Sequence, residues 1–190
     1  MNDRKIIIGL AGKIASGKDS VGKYFVEKYR AEKIRFSTIL RNILEILNLP
    51  ESRENMQSLS TVLRKNFGEN ILAKAIVKLT NKTNNNLVVI DGIRRLGDVD
   101  SLKTLNSFFL VYIDVDQDKR FKRSVARKEN PGDENMLREK FDERDAVETE
   151  IQIESLKKEA NFLIDNSGTL EETYLQIENI HKEINNRPPE

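Results

Sequence analysis

The segment Gly12-Lys13-Ile14-Ala15-Ser16-Gly17-Lys18 fits the pattern G-x-x-x-x-G-K. Glycines at its two ends let the backbone wrap inward, so that successive N–H groups converge on a point where phosphate oxygens bind well. A helix starting at Lys18 adds the positive end of its dipole, and Lys18 brings a point charge toward the β- and γ-phosphates of a nucleotide. The pattern calls next for Ser or Thr, whose hydroxyl would serve Mg²⁺. Here Asp19 stands in that place and Ser20 follows. Two arrangements fit: Ser20 takes the hydroxyl role after a small shift, or Asp19 works through water. The expected nucleotide-binding set is Gly12, Lys13, Ile14, Ala15, Ser16, Gly17, Lys18, Asp19 and Ser20.

Further along, Asp91 ends the apolar run Leu87–Ile90. A carboxylate at the end of a buried strand can hold hydrated Mg²⁺; the plainer alternative is a turn or capping aspartate. Arg94, in the same loop, can reach a transferring phosphoryl group or an acceptor phosphate, whereas Arg95 reads as solvated. Arg53, Gln57, Ser60 and Arg64 recur at i, i+4, i+7 and i+11 and so share one helical stripe. Two guanidinium groups and an amide on one stripe suit a phosphate and a base edge; the plainer alternative is a solvated face. Arg120, Arg123 and Arg127 also fall on one stripe, ahead of the helix-breaking Asn130-Pro131-Gly132-Asp133. This region reads as a lid whose arginines neutralise charge during phosphoryl transfer, with Arg123 and Arg127 preferred over Arg120 and with Arg138 and Arg144 secondary. His181, beside an apolar helical stripe, reads as structural.

Positioning these groups requires alternating strands and helices, and the pattern supplies them. Strands are predicted at 5–10, 33–36, 87–90, 108–113 and 161–164, with helices between and after them. Alternation of this kind predicts an α/β fold, a parallel five-stranded sheet with helices on both faces. Ligands in such sheets bind beyond the carboxyl ends of the strands, where the glycine loop, Asp91 and Asp114 all fall. The 190 residues suit one domain, with an acceptor-side helical region at about 37–82 and the lid at about 116–147.

Composition excludes other chemistries. The 32 basic and 31 acidic residues leave a net charge of +1, which offers no general grip on nucleic acid. With no cysteine and one histidine, thiolate sites, disulfides, histidine metal clusters and a Ser-His-Asp triad are ruled out. The apolar run Ile6–Leu10 is too short for a signal-peptide core or a membrane span, so a cytoplasmic protein without a membrane partner is expected.

The motifs together resemble a known group. Gly12 to Ser20, GKIASGKDS, is similar to the loop of deoxynucleoside monophosphate kinases and related P-loop kinases, G-K-x-x-S-G-K-D-[ST]. Ser52 to Arg64, followed by Phe67-Gly68, resembles their R-x-x-x-Q-x-x-G-T-x-x-R segment, with Ser60 where glycine is common. Val89 to Arg94 resembles their strand-ending D-x-R element and the D-G-I-R of archaeal adenylate-kinase-related proteins. Phe162 to Glu172 is similar to the last strand and turn found also in dephospho-CoA kinases. The resemblance implies a P-loop NTPase fold with a helical acceptor flap and a lid, ATP as donor with Mg²⁺, and small-molecule nucleotide substrates. It places Arg41 at the acceptor phosphate and Asn166 and Gly168 in the adenine-side turn. The acceptor it implies is a (deoxy)nucleoside monophosphate. A dephospho-CoA kinase, whose acceptor is a ribose hydroxyl, is the alternative enzyme. An NTP-binding regulatory module without transfer is the alternative of another class, and it would need few acceptor-side basic groups.

Overall fold

The computed structural model describes residues 4–127, 137–146 and 148–187. Five parallel strands form one sheet in the order β2-β3-β1-β4-β5. They are β1 (Ile6–Ala11), β2 (Glu32–Arg35), β3 (Leu87–Asp91), β4 (Phe108–Asp114) and β5 (Phe162–Asp165). The helices are α1 (Lys18–Tyr29), α2 (Phe36–Ile46), α3 (Arg53–Phe67), α4 (Ile71–Lys82), α5 (Leu96–Leu102), α6 (Gln117–Arg127), α7 (Arg138–Asp145), α8 (Glu148–Glu159) and α9 (Leu170–Asn186).

Every residue of β1 and β3 is buried, because helices cover both faces of a parallel sheet. Alternation along each strand then divides two cores. Ile7, Val88, Ile90, Leu110 and Tyr112 face one core, covered by α2, α4, α5 and α8. Ile6, Ile8, Leu10, Val89, Val111 and Ile113 face the other, covered by α1 and α9. Gly9 makes room on the first face: a Cβ there would lie 2.6 Å from Cδ1 of Ile93 and 2.8 Å from the Phe108 ring. Ile93 can therefore seat over the sheet immediately after β3.

Several boundaries differ from the sequence pattern. Phe36 opens α2 rather than ending β2, with Arg35 as the N-cap, so this strand passes into a helix without a loop. The acceptor-side region becomes α2, α3 and α4, between β2 and β3. Ser52 caps α3, its hydroxyl accepting from the Asn55 N–H at 3.1 Å. The lid region supplies α6 and α7, and the break at Asn130-Pro131-Gly132-Asp133 lies outside the described residues. No helix among the described residues is long and apolar enough to cross a membrane.

Candidate active site

The loop between β1 and α1 owes its shape to its glycines. Gly12 has φ +148° and Gly17 φ +94°, with Ala15 at +57° between them. A Cβ on Gly12 would lie 2.5 Å from the Ile113 carbonyl oxygen and 2.7 Å from the Ser16 hydroxyl. One on Gly17 would run into the side-chain amide of Asn166. Both positions therefore demand glycine twice over, for conformation and for space. Lys18 is the first residue of α1, and its side chain turns back against the loop. Its ammonium donates to the carbonyls of Gly12 at 2.6 Å and Lys13 at 2.9 Å.

Asn166, just past β5, braces this loop from the far side. It is 3% exposed. Its side-chain N–H donates to the Ser16 carbonyl at 2.8 Å, and its side-chain oxygen accepts from the Thr173 hydroxyl of α9 at 2.7 Å. The backbone N–H of Asn166 donates to the Asp114 carbonyl at 2.9 Å. Both polar ends of the Asn166 side chain are thus engaged within the protein, so in this turn the side chain braces the loop. Gly168 likewise has a local task. A Cβ there would collide with the carboxylate of Glu172, which caps α9 by accepting from the Thr169 N–H at 2.8 Å.

Beside the loop lies a group of four charges. The Lys33 ammonium stands 3.1 Å from Oδ1 of Asp19 and 3.0 Å from Oδ2 of Asp91. Arg35 stands 2.7 Å from the same Asp19 oxygen and 3.5 Å from the same Asp91 oxygen. Register explains the meeting: Arg35 pairs with Asp91 across β2 and β3, and Lys33, two residues back, points to the same face. Ser20 is exposed and stands outside this group. Asp19 and Asp91 share both cations and so stand close enough to share a hydrated Mg²⁺ that arrives with phosphates. Among the described residues no cluster of three or more His, Asp or Glu could hold a metal alone, so phosphate and water oxygens would complete the shell. Lys33 and Arg35 were not singled out from the sequence. The available signal was two basic residues alternating on a short strand that ends just before an acceptor-side helix.

The arginines separate into different roles. On α6, Arg123 donates to the Asn166 carbonyl at 2.9 Å through one terminal nitrogen. Its other terminal nitrogen is buried with no hydrogen-bond partner among the described residues, 3.9 Å from where a Cβ on Gly17 would sit. Arg120, on the same stripe, is buried and forked onto Asp145 at 2.5 and 2.9 Å. Arg120 thus joins α6 to α7. Lys13 reaches the same Asp145 at 3.6 Å and Glu154 at 2.8 Å, so its charge is directed toward α7 and α8. The Arg120 fork and the Lys13 charge hold the Asp145 carboxyl below the usual carboxylate range despite its burial. The side chains of Arg127 and Arg144 lie outside the described residues. Arg138 pairs with Asp118 and Asp142 on the surface.

On the acceptor side, Arg64 is placed differently from the expectation. It is the buried residue of α3, and both terminal nitrogens lie 3.0 Å from Oδ1 of the fully buried Asp98. It also bonds the Glu69 carbonyl. Arg64 therefore fastens α3 to α5 and is not an acceptor contact. Gln57 and Arg53, about two and about three turns back on α3, are exposed. Arg41 is half-exposed, 3.2 Å from the Ser37 hydroxyl and 3.3 Å from Glu51. Arg94 is exposed in the loop after β3. Gly92 lays that loop against the start of α2, where its Cβ position is 3.5 Å from Cβ of Phe36. The loop carrying Arg94 and the helix carrying Arg41 thus meet.

A parallel sheet in this strand order, with a glycine loop joining its central strand to a helix, is the architecture of P-loop nucleotide-binding proteins. The chain belongs to the AAA domain family, whose model matches residues 11–140. It is similar to a UPF0200 protein of Staphylothermus marinus, 27% identical over 150 residues, covering 75% of this chain and 78% of that one. A UPF0200 protein of Hyperthermus butylicus is 26% identical over 168 residues, covering 88% and 89% of the two chains. Among solved structures, TT1252 from Thermus thermophilus shares the fold with a TM-score of 0.62 at 16% identity, covering 95% of this chain and 98% of that one. Shikimate kinase from Bacteroides thetaiotaomicron does so with a TM-score of 0.57 at 15% identity, again covering 95% and 98%.

Proposed function

We propose that this protein transfers the γ-phosphoryl group of ATP to a small phosphorylated acceptor, a (deoxy)nucleoside monophosphate. The observation that carries the reading is the buried guanidinium N–H of Arg123 beside Gly17, which has no hydrogen-bond partner among the described residues. A buried cationic donor without an acceptor costs free energy, and a phosphate oxygen in the glycine loop would relieve that cost. Lys18, held against the same loop, is the second cation for the donor phosphates. Mg²⁺ would neutralise the β- and γ-phosphate charge, and Asp91 and Asp19 are the carboxylates that would hold it through water. Arg94 and Arg41 serve the acceptor phosphate, and Arg53 and Gln57 its nucleoside end.

In the reaction an acceptor phosphate oxygen attacks the γ-phosphorus, the bond from that phosphorus to the bridging oxygen breaks, and ADP leaves. A phosphate dianion oxygen carries no proton at neutral pH, so no general base is required, and no covalent enzyme intermediate is formed. The protein's contribution is position and charge. ADP formation with ATP and Mg²⁺ against a panel of nucleoside monophosphates and dephospho-CoA tests the reading. Turnover that needs a monophosphate supports it. Turnover with dephospho-CoA alone would move the acceptor to a ribose hydroxyl, and turnover independent of any acceptor would overturn transfer.

A further inference from the structure

One residue of the charge group beside the loop is built into the protein more deeply than an ion pair requires. Lys33 is 14% exposed in its side chain, against 41% for Arg35. To reach Asp91 it passes across α1 at Gly22. A Cβ on Gly22 would lie 3.0 Å from the Lys33 ammonium and 3.1 Å from its Cε, closer than ordinary contact. Glycine in a helix interior is unfavourable compared with alanine, and Gly22 lies in the helix whose first residue is Lys18. Its φ is not positive, so backbone conformation does not call for glycine there. The close approach of Lys33, with Cδ1 of Leu10 at 3.4 Å, is what a larger residue would meet.

The consequence follows from charge. Asp19 and Asp91 face a common point, and Lys33 sits at that point, within hydrogen-bond distance of both. A divalent ion entering alone must displace or share space with a fixed ammonium, against direct repulsion at short range. A divalent ion entering on the phosphates of a nucleotide brings enough negative charge to offset that repulsion. We propose that Lys33 is a positioning residue of the divalent-cation corner: it holds Asp19 and Asp91 together and excludes a free divalent ion until a nucleotide carries one in. The proposal rests on the reading of this corner as the place of the metal–nucleotide complex. It adds that the site selects the complex over the bare ion, and it assigns that selection to Lys33 and to the glycine that admits it.

The test is Mn²⁺ binding to nucleotide-free protein, followed by the electron paramagnetic resonance of free Mn²⁺. Lys33→Met should bind Mn²⁺ at least about tenfold more tightly than the wild type, the size expected for removing one unit charge at this range. Arg35→Met, whose guanidinium is more exposed and farther from Asp91, should gain less. Gly22→Ala keeps every charge and favours the helix, yet forces the end of Lys33 aside; it should shift Mn²⁺ affinity in the same direction as Lys33→Met, and it guards against a folding defect in the charge variant. Unchanged Mn²⁺ affinity in folded Lys33→Met or folded Gly22→Ala would overturn the proposal. So would equal gains in Lys33→Met and Arg35→Met, which would make the effect one of net charge. ATP binding to the wild type, measured by calorimetry in the presence of Mg²⁺, separates the two readings. Loss of ATP binding would sink the kinase function, whereas ATP binding with flat Mn²⁺ results would sink only the role of Lys33.

Discussion

Asn166 and Ser16 join the two ends of the nucleotide side: the Asn166 side-chain N–H donates to the Ser16 carbonyl at 2.8 Å across 150 positions of sequence. The same side chain accepts from Thr173, so the loop, the end of β5 and α9 share one buried amide. Replacing Asn166 by Asp keeps the shape but turns the donor into an acceptor facing a carbonyl. We expect Asn166→Asp to lose about 2 kcal/mol of stability, the cost of an unsatisfied buried polar group. It should also weaken ATP binding, because the loop loses its brace. Urea unfolding and ATP calorimetry on one preparation check both.

Arg64 predicts a stability effect rather than a kinetic one. Arg64→Met leaves Asp98 charged and buried without its partner and should cost about 3–5 kcal/mol. Arg64→Met with Asp98→Leu should recover most of that loss, since replacing a buried pair by apolar residues is often near neutral. The pH dependence has a definite sign. Burial pushes the Asp98 carboxyl up, with Arg64 opposing. Without Arg64 the folded-state pKa rises further above the unfolded value, and such a group favours folding when protonated. The deficit of Arg64→Met relative to the wild type should therefore shrink as the pH falls from about 7 to about 5. Chemical denaturation of both proteins across that range measures it.

The misplacement of Arg64 shows what the sequence pattern carries and what it lacks. Periodicity places Arg53, Gln57, Ser60 and Arg64 at neighbouring angles around α3, and that much is correct. Which part of a stripe is covered depends on a neighbouring helix: α5 supplies Asp98 to Arg64 near the end of α3. No local signal in α3 encodes that contact. Arg120 and Arg123 divide in the same way, because Asp145 takes one and the Asn166 carbonyl takes the other. The sheet and the glycine loop were legible because β-branched runs, glycine spacing and alternation are local properties. Lys33 and Arg35 were not, because their meaning lies in a register with β3 more than fifty positions away.

His181 supplies a second pH prediction. It stacks on Tyr29 with ring centroids 3.8 Å apart, and burial pulls its pKa below 6.5, its ordinary value. The neutral ring is favoured in the fold, so the unfolded chain takes up a proton first on acidification. Stability should fall as the pH drops below about 6.5 and level off below the depressed folded-state pKa. His181→Phe should remove this component of the slope. Thermal melts of both proteins between about pH 8 and about pH 5 show whether it does.

The arginines should divide the kinetics. Arg123→Ala is expected to lower kcat by about 10²–10³-fold, the usual effect of removing a preorganised donor to developing charge, with little change in the KM for the acceptor. Arg94→Ala and Arg41→Ala should instead raise the KM for the acceptor by about tenfold each, the loss of roughly one charge-assisted contact, and leave the KM for ATP nearly unchanged. Steady-state kinetics with each substrate varied separately distinguishes the two patterns.

The most direct measurement of the central claim is phosphorus NMR of wild type and Lys18→Ala, incubated with ATP, Mg²⁺ and nucleoside monophosphates. The account predicts one acceptor diphosphate formed for each ADP released by the wild type, no ADP without acceptor, and no detectable product with Lys18→Ala. Inorganic phosphate in place of the diphosphate, or near-normal product from Lys18→Ala, would contradict it.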